Sequence, residues 1–101
     1  MMEDEYMYSP GVFEPLVAVL QVLEDEIQQI PLSIKCFPAI NDPPHVHMED
    51  TPAFRRWALD NTAKIVPADC PGRVKQLVVI GRIRVYAIIP AEESDEWGER
   101  L

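Results

Sequence analysis

The residues best suited to chemistry in this chain lie close together. His45-Val46-His47 sits in the stretch PAINDPPHVHMED, residues 38–50, with Asp42, Glu49 and Asp50 nearby. In extended backbone, side chains two residues apart point the same way, so both imidazoles would lie on one side, as a two-ligand clamp needs. A carboxylate could then complete a zinc-type site, with a position open to water if the metal were catalytic. A single His-x-His without a third ligand at a characteristic spacing is a weak pattern. The expectation is therefore no metal, and loop histidines that are exposed or pH-sensitive. Cys36 and Cys70 are the only cysteines. Two thiols are too few for a disulfide framework, and each reads as a small buried hydrophobe.

Other catalytic templates find no support. The three serines, Ser9, Ser33 and Ser94, stand outside any Gly-x-Ser-x-Gly turn. The four glycines, Gly11, Gly72, Gly81 and Gly98, are isolated, so no glycine-rich loop cradles a phosphate. A cysteine nucleophile with His45 or His47 as its base is conceivable, because triads form in space, but nothing in the pattern favours it. Carboxylates cluster at the two ends, where nothing would raise the pKa of one of them for acid work. The chain reads as a non-enzyme with no catalytic residues, no metal and no cofactor.

The element that must position everything else is VKQLVVIGRIRVYAIIP, residues 74–90, the only long run dense in β-branched residues. It reads as a β-hairpin. Gly81 at the first central position suits a type II′ turn, which needs a positive φ there. The register follows: Ile80 pairs with Ile83, Val78 with Val85, Gln76 with Ala87, and Val74 with Ile89. Seven of those eight side chains are apolar and share one face. The other face carries Val79 with Arg84, Leu77 with Tyr86, and Lys75 with Ile88. A slip by one residue would mix the two faces, so the pattern specifies its own register. Lys75, Arg84 and Tyr86 on the second face hint at a surface for stacking or for phosphate.

An isolated hairpin is marginal in water, so other elements must cover its apolar face. Residues 13–30 read as the main helix. Pro15 stands near its start, and Leu16, Leu20, Leu23, Ile27 and Ile30 form one stripe, widened by Val19 and Val22. Pro31 stops it. Residues 32–37 alternate as a strand that Pro38 ends or pushes to an edge. Residues 38–50 read as a proline-stiffened loop. Residues 52–61 read as a short helix with Thr51 as N-cap, Pro52 in its first position, and Phe54, Trp57 and Ala58 on its inner face. Arg55 and Arg56 would pair with the acidic helix or face a partner, and Asn61 would end the helix in a left-handed conformation. Residues 63–67 read as a short strand or connector. Residues 1–10 and 91–101 read as mobile acidic ends. The fold class is α+β in a single domain, 1–101. It has a three- to four-stranded, mainly antiparallel sheet with a C-terminal β-hairpin, and one main and one short helix packed on it.

Charge narrows the function. The chain has 101 residues, 48% of them hydrophobic, and a formal net charge of −8. No run of 18 apolar residues suggests a membrane span, and the acidic N-terminus lacks the basic flank of a secretory signal, so a cytoplasmic protein is expected. The overall charge argues against direct nucleic-acid binding, which needs concentrated positive charge. It favours a protein partner with a basic surface. In size and acidity the chain is similar to phage-encoded inhibitors of bacterial defence systems and to toxin-neutralising immunity proteins, a likeness of composition that covers no motif. The reading is a small acidic protein-binding module, an inhibitor that mimics nucleic acid and occludes a basic, nucleic-acid-binding surface of its target. Glu24, Asp25 and Glu26 would supply charge; Tyr6, Tyr8 and Trp97 would supply aromatic anchors. The alternative is a structural or adaptor subunit that forms a homodimer through the apolar helix or the hairpin edge; a third and weaker reading is a metal-dependent enzyme at His45 and His47.

Overall fold

The computed structural model describes residues 10–37 and 42–100. The hairpin is its centre. Strand β4 (Arg73–Ile80) and strand β5 (Ile83–Pro90) pair antiparallel in the register that the alternation dictates, from Ile80 opposite Ile83 to Val74 opposite Ile89. Gly81 takes φ 61°, the left-handed value that favours glycine.

The sheet around the hairpin is larger than the three or four strands expected, and it is mixed. Its order is β1-β2-β5-β4-β3-β6, with β1 at Ser33–Phe37, β2 at Asp42–His47, β3 at Lys64–Pro67 and β6 at Glu99–Arg100. Strand β2 runs parallel to β5, and β6 parallel to β3; the remaining pairs are antiparallel. The hairpin therefore lies in the middle of the sheet rather than at its end. Both added strands come from segments that composition marks as irregular. Pro43 and Pro44 follow Asp42 at the start of β2, and the β1–β2 register shifts between Lys35 and Phe37, beside those two prolines. Proline cannot donate to a ladder, so a bulge at the strand's start is where it is tolerated. Past the prolines, His45, Val46 and His47 pair with both neighbours.

Helix α1 runs over Pro10–Ile27 rather than 13–30, which puts Pro15 inside the helix. Its end is set by Gln28, not by Pro31. Gln28 adopts φ 52°, and its N–H donates to the Glu24 carbonyl. A left-handed residue just past the last turn stops a helix by turning the chain away. Leu16, Val19 and Leu23 are buried as the stripe requires, whereas Ile30 lies beyond the helix and is 75% exposed. Helix α2 (Pro52–Asp60) starts as expected, with the Thr51 hydroxyl accepting from the Phe54 N–H. Asn61 follows it with φ −105°, and the left-handed residue is Thr62 instead.

Residues 91–100, expected as a tail, are built into the fold. Ala91–Glu96 form a 3-10 helix, and Glu99–Arg100 add β6 to the edge of β3. Both helices and the 3-10 turn lie on one face of the sheet. Beneath α1 and α2 sits a core of Leu16, Leu23, Val46, Met48, Phe54, Trp57, Val78 and Val85, among others. Beneath the 3-10 turn, Ile65, Val74 and Ile89 pack with Ala91 and Trp97. Gln76, fully buried, ties these parts together: its amide donates to the Arg55 and Trp97 carbonyls at 3.1 and 2.8 Å. No helix among the described residues is long and apolar enough to cross a membrane.

Candidate functional site

Among the described residues, no element covers the second face of the sheet. Alternation decides what that face presents. On β4 and β5 the buried residues are Val74, Gln76 and Val78 with Ile83, Val85, Ala87 and Ile89, so the residues between them point away from the core. The register then lines up rows across the strands. Val79, Arg84, His45 and Lys35 form one row; Lys64, Leu77, Tyr86, His47 and Ser33 form the next; Val66, Lys75 and Ile88 form a third. Lys35, Lys64, Arg73, Lys75 and Arg84 thus emerge on this face, against Glu99 on β6. Lys64 and Glu99 form an ion pair there.

At the centre, the His47 and Tyr86 rings stack face to face, with centroids 4.8 Å apart and planes 6° from parallel. The Lys75 ammonium lies 4.6 Å from the Tyr86 ring centroid. A cation near a π face is held by the ring quadrupole, and this pair is half-buried. The cluster has an electrostatic signature. His47 is pushed below its usual pKa by burial, then by the positive charges of Lys75 and Lys35. Burial pushes the Tyr86 phenol up. Both shifts reflect burial that disfavours charge, and that of His47 also reflects the positive charges beside it.

His45 and His47 do share one side, as extended backbone requires. They do not converge on an ion. His45 lies 3.4 Å from the Asp42 carboxylate, while His47 stacks on Tyr86. Among the described residues no group of three or more His, Cys, Asp or Glu side chains is placed to hold a metal. Cys36 is half-buried and Cys70 exposed, and both are free thiols.

The opposite side of the molecule is acidic. Glu24, Asp25 and Glu26 all stand exposed on the last turns of α1. Glu26 also accepts a hydrogen bond from the Trp57 indole N–H at 3.0 Å, which pins α1 to α2. The Gln21 amide donates to Asp25 at 3.0 Å and to Glu24 at 3.5 Å along the exposed side of the helix. Arg55 does not pair with this helix. It forms a two-pronged ion pair with Asp50, both contacts 2.7 Å, and a third contact of 2.7 Å with Glu93. Those partners raise its pKa further. Trp97 is half-buried against Ile65, Val74 and Ile89, with the Arg55 guanidinium 5.7 Å from its ring, so the body holds it. Tyr6 and Tyr8 lie outside the described residues.

No protein-family model, no curated protein and no solved structure matches the chain.

Lys75, Arg84 and Tyr86 were legible as one surface from the hairpin alone. His47, His45, Lys35 and Lys64 were not, because they join that surface only through β2, β1 and β3. The signal for β2 was present in the period-2 alternation of His45 and His47 with the buried Val46.

Proposed function

We propose that the protein is a non-catalytic binding module that works by charge complementarity. Its acidic helical side would cover a basic, nucleic-acid-binding surface of a protein partner and so keep nucleic acid off it. The observation that carries this reading is the exposure of Glu24 and Asp25 together on one helix end, beside the apolar Val22, which is 37% exposed. Carboxylates at the C-terminal end of a helix oppose its dipole, so their placement costs some stability, which function can repay. Carboxylates next to an exposed apolar side chain give both a charge match and some area to bury.

The test is an affinity pull-down with the full chain from cells of the source organism, washed at low and at high salt. A basic nucleic-acid-handling protein held at low salt and released at high salt is expected. The Glu24→Lys, Asp25→Lys double variant should lose it. Retention of the same partner by that variant would remove this helix from the mechanism.

A second reading has its own observation. Pro15, Ala18, Val19, Val22, Ile80 and Gly81 line a shallow apolar groove of about 280 Å³ between α1 and the hairpin turn. Val17, on the same helix, is 61% exposed. A subunit that dimerises through α1 would cover this groove. A protein that stays monomeric at high concentration in sedimentation would count against it.

A further inference from the structure

The open face of the sheet is a surface independent of the acidic helix, and we infer that it binds a short single-stranded segment of nucleic acid. Four features of the face point to this occupant. The first is charge. Five cations, Lys35, Lys64, Arg73, Lys75 and Arg84, emerge on one face of a chain whose net charge is −8, against the carboxylates of Glu99 and of Asp42, which lies beside His45. Lys64 is engaged by Glu99. Concentration of positive charge on a flat face within an acidic protein is what a polyanion would select.

The second is the stack. Lys75, Tyr86 and His47 stand side by side across β4, β5 and β2, so their order defines a direction along the face. Tyr86 has a partner on each side. His47 has Tyr86 on one side, and its neighbour in the row on the other side is Ser33 of edge strand β1, small and exposed. A planar base placed beside His47 extends the stack over Ser33 without displacing a large side chain. Base–aromatic stacking contributes about 1–3 kcal/mol per base and tolerates any base, because each has a π face.

The third is spacing. Arg84, His45 and Lys35 lie in one row on three neighbouring strands, so they span about 10 Å beside the stack at the usual separation of paired strands. Arg84 and Lys35 at the ends of that row offer cations to a sugar–phosphate backbone, while the stack offers ring faces to its bases. The fourth is the apolar content. Leu77 and Ile88 are half-buried and Val79 is 56% exposed on the same face, which suits the flat faces of unpaired bases better than the ordered shell of a duplex. A second copy of the chain is a poorer occupant for two like faces, because lysines and arginines would meet each other. An acidic peptide would satisfy the cations but leave the stack without a planar partner.

The face also predicts how binding depends on pH. The groups that face His47 are Tyr86 and Arg84 of β5, Lys75 of β4, Lys35 and Ser33 of β1, and, on its own strand, His45 with Asp42. Phosphate among these cations offsets the positive field and lets His47 take a proton. Affinity should therefore rise as the pH falls through the ordinary histidine range.

The experiment is fluorescence anisotropy of labelled oligodeoxythymidine and oligouridine titrated with the full-length protein at low salt, with poly-glutamate as a competitor. Expected are binding that weakens with salt at a log–log slope of about −2 to −3 for three to four phosphates contacted, and little displacement by poly-glutamate. His47→Ala should weaken binding by about tenfold through lost stacking. Lys35→Glu with Arg84→Glu should abolish it, while thermal melting shows both variants folded. Glu24→Lys with Asp25→Lys should not weaken it, which separates this inference from the acidic-helix reading. The inference is overturned by no binding at low salt, by poly-glutamate displacing the oligonucleotide at equal charge, by self-association that buries the face, or by His47→Ala binding as tightly as the parent.

Discussion

The two faces of the sheet are made by the same six strands, yet side chains one residue apart meet opposite conditions. Val85 is fully buried, while Arg84 before it is exposed and Tyr86 after it is half-buried in the cationic stack. On the inner face the chain buries aliphatic side chains under two helices and a 3-10 turn. On the outer face it keeps Lys, Arg, His and Tyr with only a few aliphatic neighbours. The inner face bears stability, because each large side chain buried there contributes roughly 1.5–3 kcal/mol. The outer face holds cations close together, where mutual repulsion opposes the gain from the Lys75–Tyr86 contact and the Lys64–Glu99 pair. The comparison teaches that cost and use can be separated by alternation alone.

The sharpest way to break the comparison is to place the same kind of charge on each face at adjacent positions. Val85→Asp would bury a carboxylate without a partner and should unfold the protein, seen as loss of the cooperative thermal transition. Arg84→Glu, one residue away, should change stability by less than about 0.5 kcal/mol in denaturant unfolding. Equal destabilisation by the two would mean that the outer face is covered in solution.

The next largest effect tests how the inner face is tied to the chain's last residues. Arg55 joins Asp50, ahead of α2, to Glu93 in the 3-10 turn, and its side chain is only 14% exposed. Arg55→Ala leaves two carboxylates without their shared partner and should cost about 2–3 kcal/mol in urea unfolding. The exposed neighbour Arg56 serves as control, and Arg56→Ala should be close to neutral. Smaller again is Gly98→Ala. A methyl group there would lie 3.0 Å from the Ala63 carbonyl oxygen and 3.0 Å from the Ile65 Cδ1. The contact against backbone cannot yield easily, so a loss of about 1–2 kcal/mol is expected, with β6 loosening from β3 first. Hydrogen exchange should show faster exchange at Glu99, whose N–H donates to the Ala63 carbonyl.

These expectations also show which parts of the fold were written locally. The hairpin was legible because turn chemistry at Gly81 and period-2 alternation pointed to one register. Helix α2 was legible because Thr51, Pro52 and its inner residues agreed with one another. Strand β2 was misread as a loop because proline and polar residues dominate residues 38–45, and its strand character depends on partners far away in sequence. The end of α1 was misread for a related reason. Pro31 is an obvious stop, but the backbone turns earlier at Gln28, whose neighbour Gln29 is held by Thr51 and Glu49. Residues 91–100 were misread because acidic composition resembles a tail, while their order comes from Ala91 and Trp97 packing on Ile65, Val74 and Ile89. Of the open face, the hairpin supplied Lys75, Arg84 and Tyr86; the rest required the strand order, which no local pattern carries.

The smallest effect is the most specific to the outer face. His47 holds a pKa below the ordinary 6.5, through burial and through the charges of Lys75 and Lys35. An unfolded chain lacks those constraints, so below that ordinary value it takes up the His47 proton more readily than the folded one. Stability attributable to His47 is therefore intact while both states are neutral and is lost as the pH falls through the unfolded value. The loss levels off once the folded form also protonates. Comparing urea unfolding of the parent with His47→Gln at about pH 8 and about pH 5.5 isolates this contribution from carboxylates that titrate lower. The parent should lose more stability than the variant over that interval. Lys35→Gln should shrink the difference, since it removes one of the two charges while leaving burial and the Tyr86 stack in place. An NMR titration of the His47 ring should then show its pKa rising toward the ordinary value. If Lys35→Gln leaves the His47 titration unmoved, Lys35 adds nothing to the field at the stack, and only burial and Lys75 set the His47 pKa.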